Sequence, residues 1–260
     1  MLVGLRACEL RAQRYLDKVL LEGPFTDLGY RARREATIIV SVDCTECSPS
    51  CFCTLVGGKP FAEDGFDLNL TPMGEGYLVE SGSPRGQEIL QGAGGGREAT
   101  REELAARERI RREMVERIDR QNEAFSLRAD DGHPPALPNE NDPAYGRFAG
   151  DCIECAACTN ICPTCHCFYL YDQVLGPKQF ERLRAWDSCL LSTYHRMAGG
   201  VNMKISARPR LLSRLANRVL HKFVYSPQQY GMLGCVGCGR CVEACLGDID
   251  IRRIVSELST

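Results

Sequence analysis

The N-terminal part of the chain alternates short apolar runs with amphipathic ones. Met1 to Leu5 reads as a strand and Cys8 to Leu21 as a helix, and Arg31 to Glu35 is a charged lead-in. The run Thr37 to Val42 (TIIVSV) is apolar and β-branched, as a buried strand should be. Asp67 to Thr71 and Gly76 to Glu80 flank Pro72-Met73-Gly74-Glu75 and predict a hairpin. A fold that opens inside its first strand points to a further N-terminal portion, or to a partner that supplies one.

The pattern changes after residue 92. GAGGG (92–96) follows no strand and has no G-K-[ST], so it reads as a flexible break rather than a phosphate loop. From Arg97 to about Phe125, Ala106, Ile110, Met114 and Ile118 recur every four residues in a densely charged stretch. That predicts a solvated helix held down by one narrow apolar stripe, with a partner-docking helix as the alternative. Asp130 to Pro143 is a Pro-rich connector. Farther on, Gln179 to Ala198 and Pro209 to Val224 read as helices. The expected fold is α+β. A small α/β region spans 1–92, a charged helix and Pro-rich linker span 93–150, and a mainly helical, ferredoxin-like dicluster domain spans 151–260.

Composition narrows the chemistry. The formal charge of −2 over 260 residues gives no global sign of nucleic-acid or membrane-surface binding. No apolar stretch is long enough for a signal peptide or a membrane span. The expected compartment is therefore the reducing cytoplasm, where 16 cysteines imply metal rather than disulfides.

The cysteines are ordered. Cys152, Cys155, Cys158 and Cys162 are spaced C-x2-C-x2-C-x3-C, with Pro163 following. Cys235, Cys238, Cys241 and Cys245 repeat the spacing, with Leu246 where proline is frequent. In two-cluster ferredoxins the fourth cysteine of each run ligates the other cluster. The expected sets are thus Cys152, Cys155, Cys158 and Cys245 for one [4Fe–4S] cluster, and Cys235, Cys238, Cys241 and Cys162 for the second. Zinc is the alternative, but it usually takes two C-x2-C knuckles set well apart. The 72 residues between Cys162 and Cys235 exceed a minimal ferredoxin and are expected to pack around the clusters.

Cys44, Cys47, Cys51 and Cys53 crowd ten residues at the end of the TIIVSV strand. They predict a third iron–sulfur cluster, with zinc as the second reading. Cys8, Cys165 and Cys167 are candidates to share that site, and Cys189 lies in the WDSC stretch, read as helical; a buried thiol acting as a small hydrophobe is the alternative for each. His166 is either an iron ligand or a histidine with an ordinary partner. Trp186, Tyr169, Tyr171 and Tyr194 are expected to pack around the clusters. Arg196, Lys204, Arg208, Arg210, Arg214, Arg218, His221 and Lys222 form a cationic stretch, suited to offset cluster charge or to dock an acidic partner.

The segments GLRACEL (4–10), CTECSPSCFCT (44–54), CPTCHCF (162–168), WDSC (186–189), RMAGG (196–200), LHKFVY (220–225) and GCVGCGRCVEAC (234–245) resemble the beta subunit of cytosolic nickel–iron sulfhydrogenases. They are also similar to the iron–sulfur A subunit of anaerobic sulfite reductase. The resemblance implies an electron-transfer subunit of a hetero-oligomer, placed between a flavin subunit using NAD(P)H and a catalytic subunit. It also implies a further stretch before GLRACEL. The chain shows no Ser/His/Asp arrangement, no paired carboxylates and no G-x-G-x-x-G after a strand. It is therefore expected to bind no flavin or nicotinamide, to have no catalytic residues of its own and to work as a relay. The competing expectations are a relay of a sulfite or sulfur reductase, a subunit with its own sulfur-reducing cluster, and a zinc scaffold.

Overall fold

The computed structural model describes residues 1–127, 129–130, 132–194 and 206–259. The TIIVSV run supplies an inner strand. β1 (Leu2–Leu5), β2 (Ile39–Val42) and β3 (Leu68–Met73) are parallel, and β4 (Gly76–Ser81) returns antiparallel to β3. The sheet order is β1-β2-β3-β4, with Val40 of β2 paired to Val3 on one side and Leu68 on the other. Between β1 and β2 run α1 (Ala7–Leu20) and α2 (Leu28–Ala36). The charged lead-in is thus part of a helix, capped by the Asp27 side chain, which accepts from Tyr30 N at 2.9 Å. α3 (Pro84–Gly92) ends where GAGGG begins.

α4 (Arg101–Gln121) starts at a capping box of Thr100 and Glu103. Met114 and Ile118 of its apolar stripe are buried, while Ala106 and Ile110 are half-buried. The stripe does not settle on the sheet. Met114 and Ile118 pack against Cys53, Cys44 and Cys47, so the helix lies on the cysteine-rich loop.

The remaining elements are α5 (Gly146–Ala149), α6 (Ala157–Asn160), β5 (Phe168–Gly176), β6 (Gln179–Trp186), α7 (Leu211–Leu220), α8 (Ser226–Tyr230), α9 (Arg240–Glu243) and α10 (Ile251–Leu258). A π-helical turn, His221–Tyr225, joins α7 to α8. The main core buries Leu215, Val219 and Phe223 against Leu233, Ile251, Ile254 and Val255. Each such side chain contributes about 1.5–3 kcal/mol on burial.

One predicted helix is a strand. Gln179–Trp186 pairs antiparallel with Phe168–Gly176, Phe168 facing Trp186 and Val174 facing Phe180. Phe180, Leu183 and Trp186 recur at helical spacing, which is why the segment resembles a helix. The aromatic run FYLY favours a strand, and Gly176-Pro177-Lys178 turns the chain back on it. The end of that predicted helix, 195–198, lies outside the described residues, as do RMAGG, Arg196 and Lys204. The hairpin also moves its aromatics away from the core. Trp186 is 75% exposed, and Tyr169 and Tyr171 stack on each other in solvent. Cys189 follows the hairpin in a loop, not a helix. Among the described residues no helix is long and apolar enough to cross a membrane.

Candidate metal centre

The two ferredoxin-type runs meet in the C-terminal half and border two adjoining cavities. The first is lined by Cys152, Cys155, Cys158 and Cys245, together with Cys241, Leu190, Leu215 and Arg218. The second is lined by Cys162, Cys235, Cys238 and Cys241, together with Phe52, Val236 and Lys222. Each cavity therefore draws three cysteines from one run and the last from the other, and Cys241 borders both. The runs turn sharply to do this. Glu154 and Ala156 in the first have positive φ without being glycine, and Gly237 and Gly239 in the second are left-handed. Among the described residues, no group of three or more His, Cys, Asp and Glu side chains closes on a point suited to one metal ion.

Four cations of the predicted cationic stretch have distinct surroundings. Arg208 pairs with Glu140 and Arg214 with Glu154, each at 2.7 Å. Arg218 and Lys222 are buried and have no carboxylate partner among the described residues. Arg218 Nη2 reaches the Cys158 carbonyl at 3.4 Å, and among the described residues its buried Nε has no hydrogen-bond partner. Burial would lower the pKa of both cations. The surrounding sulfurs, Cys241 and Cys158 around Arg218, and Cys162 and Cys165 around Lys222, outweigh it and keep them charged. Two buried cations facing cysteine clusters, one with an orphaned donor, suit an anionic group. Iron–sulfur clusters held by four thiolates have that character, so the residues fit them.

The thiols themselves divide. Burial pushes Cys235 up to about 12 and Cys238 up to about 11, which favours protonated sulfur unless iron takes the thiolate. Cys162 is held well below the ordinary range, above all by a hydrogen bond from Cys165, against burial and with the help of Lys222.

Cys44, Cys47, Cys51 and Cys53 sit at the carboxyl end of β2, the usual position of sites in open α/β sheets. The loop is fixed from several directions. Asp43, immediately before it, accepts from Asn69 Nδ2 at 3.0 Å and Thr71 Oγ1 at 2.8 Å. The Cys51 carbonyl accepts from Gln121 Nε2 at 2.7 Å and Asn122 Nδ2 at 2.8 Å. Arg252 donates to the Pro49 carbonyl at 3.0 Å. Burial raises Cys44 to about 11 and Cys53 to about 12, and the neighbouring loop cysteines add to both shifts. Cys8, in the first turn of α1, has its pKa raised by burial, with smaller contributions from Cys238 and Cys53, so it lies between the loop and the second run.

The loop and the second run touch directly. Phe52 N donates to the Gly237 carbonyl at 2.8 Å, and Cys51 Sγ is 3.8 Å from the Cys238 carbonyl. A Cβ on Gly237 would stand 2.5 Å from Cys53 Cα, and one on Gly239 2.4 Å from the Ser50 carbonyl oxygen. Glu243 accepts from Ser50 Oγ at 2.8 Å and also from Ser48. Arg240 pairs with Glu9 at 2.7 Å. Asp43, Gln121, Asn122, Gly237, Gly239 and Glu243 were missed in the sequence, because their partners are far away along the chain.

Cys165 and Cys167 take partners other than the 44–53 loop. Cys165 bonds to Cys162, and Cys167 accepts from Cys189 and Tyr194, which lowers Cys167 to about 6. His166 has an ordinary partner: its Nδ1 is 3.1 Å from the Thr164 carbonyl oxygen, and its ring packs near Tyr15 and His221. Leu246 is exposed. A separate cavity of about 400 Å³ reaches Cys8 and Cys53 from the surface between Arg11, Arg14, Lys59 and Asp64.

Residues 151–249 match the family described as the 4Fe-4S dicluster domain. The chain is 32% identical over 263 aligned positions to Sulfhydrogenase 2 subunit beta of Pyrococcus furiosus, across 99% of this chain and 73% of that protein. No solved structure matches. With a dicluster domain in its C-terminal half and a relative aligned along nearly its whole length, the chain belongs to the sulfhydrogenase beta-subunit family.

Proposed function

We propose that the chain is a cytoplasmic electron-transfer subunit that connects a flavin subunit using NAD(P)H to a nickel–iron hydrogenase subunit. The observation that carries this is the pair of adjoining cavities, each bordered by three cysteines of one run and the last of the other. Cys152, Cys155, Cys158 and Cys245 would hold one [4Fe–4S] cluster, and Cys235, Cys238, Cys241 and Cys162 the second. When bound, such clusters supply one-electron carriers. The chain's own residues hold the thiols in place, exclude water and set local charge. Leu190, Leu215 and Phe52 form apolar walls, while Arg218 and Lys222 supply positive charge.

Cys44, Cys47, Cys51 and Cys53, with Cys8 at their edge, are the donor set for a third cluster. The hydrogen bond from Phe52 to Gly237 supports a linear order: loop, second run, first run. Such an order would give electrons a covalent and hydrogen-bonded route from the N-terminal region to the surface near Cys155, the exposed member of the first run.

The test is iron, acid-labile sulfide and zinc per chain, on protein purified without oxygen. About twelve iron atoms would correspond to three cubanes and about eight to the ferredoxin pair alone. Zinc without iron would overturn the relay. A second reading rests on the 400 Å³ cavity at Cys8 and Cys53. There the third site would itself reduce a sulfur compound. Activity of the isolated subunit with a sulfur compound and an artificial reductant separates this from a pure relay.

A further inference from the structure

Lys222 sits in the π-helical turn, a rare conformation often found at functional sites. Its ammonium has three donors, and all three are used. Nζ donates to Cys162 Sγ at 3.2 Å, to Thr164 Oγ1 at 3.0 Å and to the Gly234 carbonyl at 3.0 Å. The backbone closes the same contact from the other side. Gly234 N donates to the Lys222 carbonyl at 2.8 Å, and a Cβ at residue 234 would stand 3.1 Å from Lys222 Cα. One side chain therefore bridges the end of the first cysteine run and the residue preceding Cys235.

Among the described residues, no cation donates to a cysteine sulfur in the first cavity. Cys245 Sγ accepts from a neutral donor, Ile249 N, at 3.3 Å. Arg218 directs its Nη2 to a carbonyl rather than to sulfur. A charged donor makes a hydrogen bond roughly twice as strong as a neutral one. Reduction adds a negative charge, and hydrogen bonds to cluster sulfurs and nearby positive charge favour the reduced state.

We propose that Lys222 sets the reduction potential of the group held by Cys162, Cys235, Cys238 and Cys241, raising it above that of the group held by Cys152, Cys155, Cys158 and Cys245. The electron would then rest at the middle of the chain of sites and pass on from there. Lys222 is a positioning residue in this scheme; it does not exchange electrons. The inference rests on the ligand sets given under Proposed function.

The experiment is an EPR-monitored redox titration of the full chain, with iron and sulfide measured on every sample. Wild type is expected to reduce these two groups in separable steps, apart from any step at the 44–53 site. Lys222→Met should shift the higher midpoint down by at least a tenfold change in the reduction equilibrium, about 59 mV for one electron. The other step should stay in place, and Lys222→Arg should recover most of the shift. Unmoved midpoints with full iron and sulfide would overturn the role of Lys222 while leaving the clusters intact. Absence of iron and sulfide from wild type would overturn the cluster assignment itself. If Lys222→Met loses its second cluster, wild type grown on ¹⁵N-lysine carries the test. Hyperfine coupling of that nitrogen to the reduced second cluster supports the contact, and its absence excludes it.

Discussion

Arg111 Nε donates to Asp43 Oδ2 across 2.8 Å, and both side chains are buried. The bond joins the charged helix α4 to the residue that precedes Cys44. Asp43 also accepts from Asn69 and Thr71, and its carbonyl accepts from Arg6 Nη1 at 3.0 Å. One aspartate thus gathers β3, α4 and the β1–α1 turn at the root of the cysteine loop.

Arg111→Met should therefore be costly. It leaves a buried carboxylate without its cation, a loss of about 3–5 kcal/mol. Denaturant unfolding measures this. Adding Asp43→Asn should recover part of the loss, because the charge that lacked a partner is gone. No recovery would show that Arg111 acts by packing alone.

Two glycines separate backbone strain from close approach. A Cβ on Gly231 (φ +63) would meet nothing within 4 Å, whereas one on Gly237 (φ +67) would run into Cys53. Gly231→Ala should cost only the left-handed penalty, roughly 1–2 kcal/mol. Gly237→Ala adds overpacking of about 1–3 kcal/mol and should release iron first from the third cluster proposed for the 44–53 loop. Equal costs at the two positions would show that the loop yields freely.

The proposed exchange of the last cysteines has a spectroscopic consequence. Cys162→Ser should alter the same EPR signal as Cys235→Ser, and Cys245→Ser the same signal as Cys152→Ser. Each run affecting only its own signal would reverse the assignment.

Removing iron should expose the conflict between Arg218 and Lys222. Without anionic clusters both cations stay buried with only thiols around them, and Arg218 keeps an unpartnered Nε, a penalty of several kcal/mol. Thermal melting after chelation should show a large loss for wild type. Arg218→Met should melt above wild type when iron-free and below it when loaded. The same order in both states would mean that Arg218 does not respond to cluster charge.

The hairpin β5–β6 should tolerate change. Val174, Phe180 and Trp186 are exposed, so Val174→Ser and Phe180→Ser should each alter stability by no more than about 0.5 kcal/mol. A loss above about 2 kcal/mol in either would mean that the hairpin packs against the body of the chain.

The parts legible in the sequence were those encoded over short distances. The strand Ile39–Val42 follows from six neighbouring residues, and each cysteine run from eleven. The helix Arg101–Gln121 was readable from its stripe, but not its seat on Cys44, Cys47 and Cys53, since amphipathicity does not name a partner. The hairpin failed for a related reason: Gln179–Trp186 is helical in period, and its pairing depends on FYLY ten residues earlier. The contact of Gly237 with Cys53 left no local trace beyond a glycine.

Cys241 borders both cavities, and each cavity takes its last cysteine from the other run. This constrains biogenesis. A ribosome making the chain releases Cys152, Cys155 and Cys158 long before Cys245, the residue proposed to complete their set. On the proposed ligand sets the first cage would close only after Cys245 has been made, which would place its assembly late.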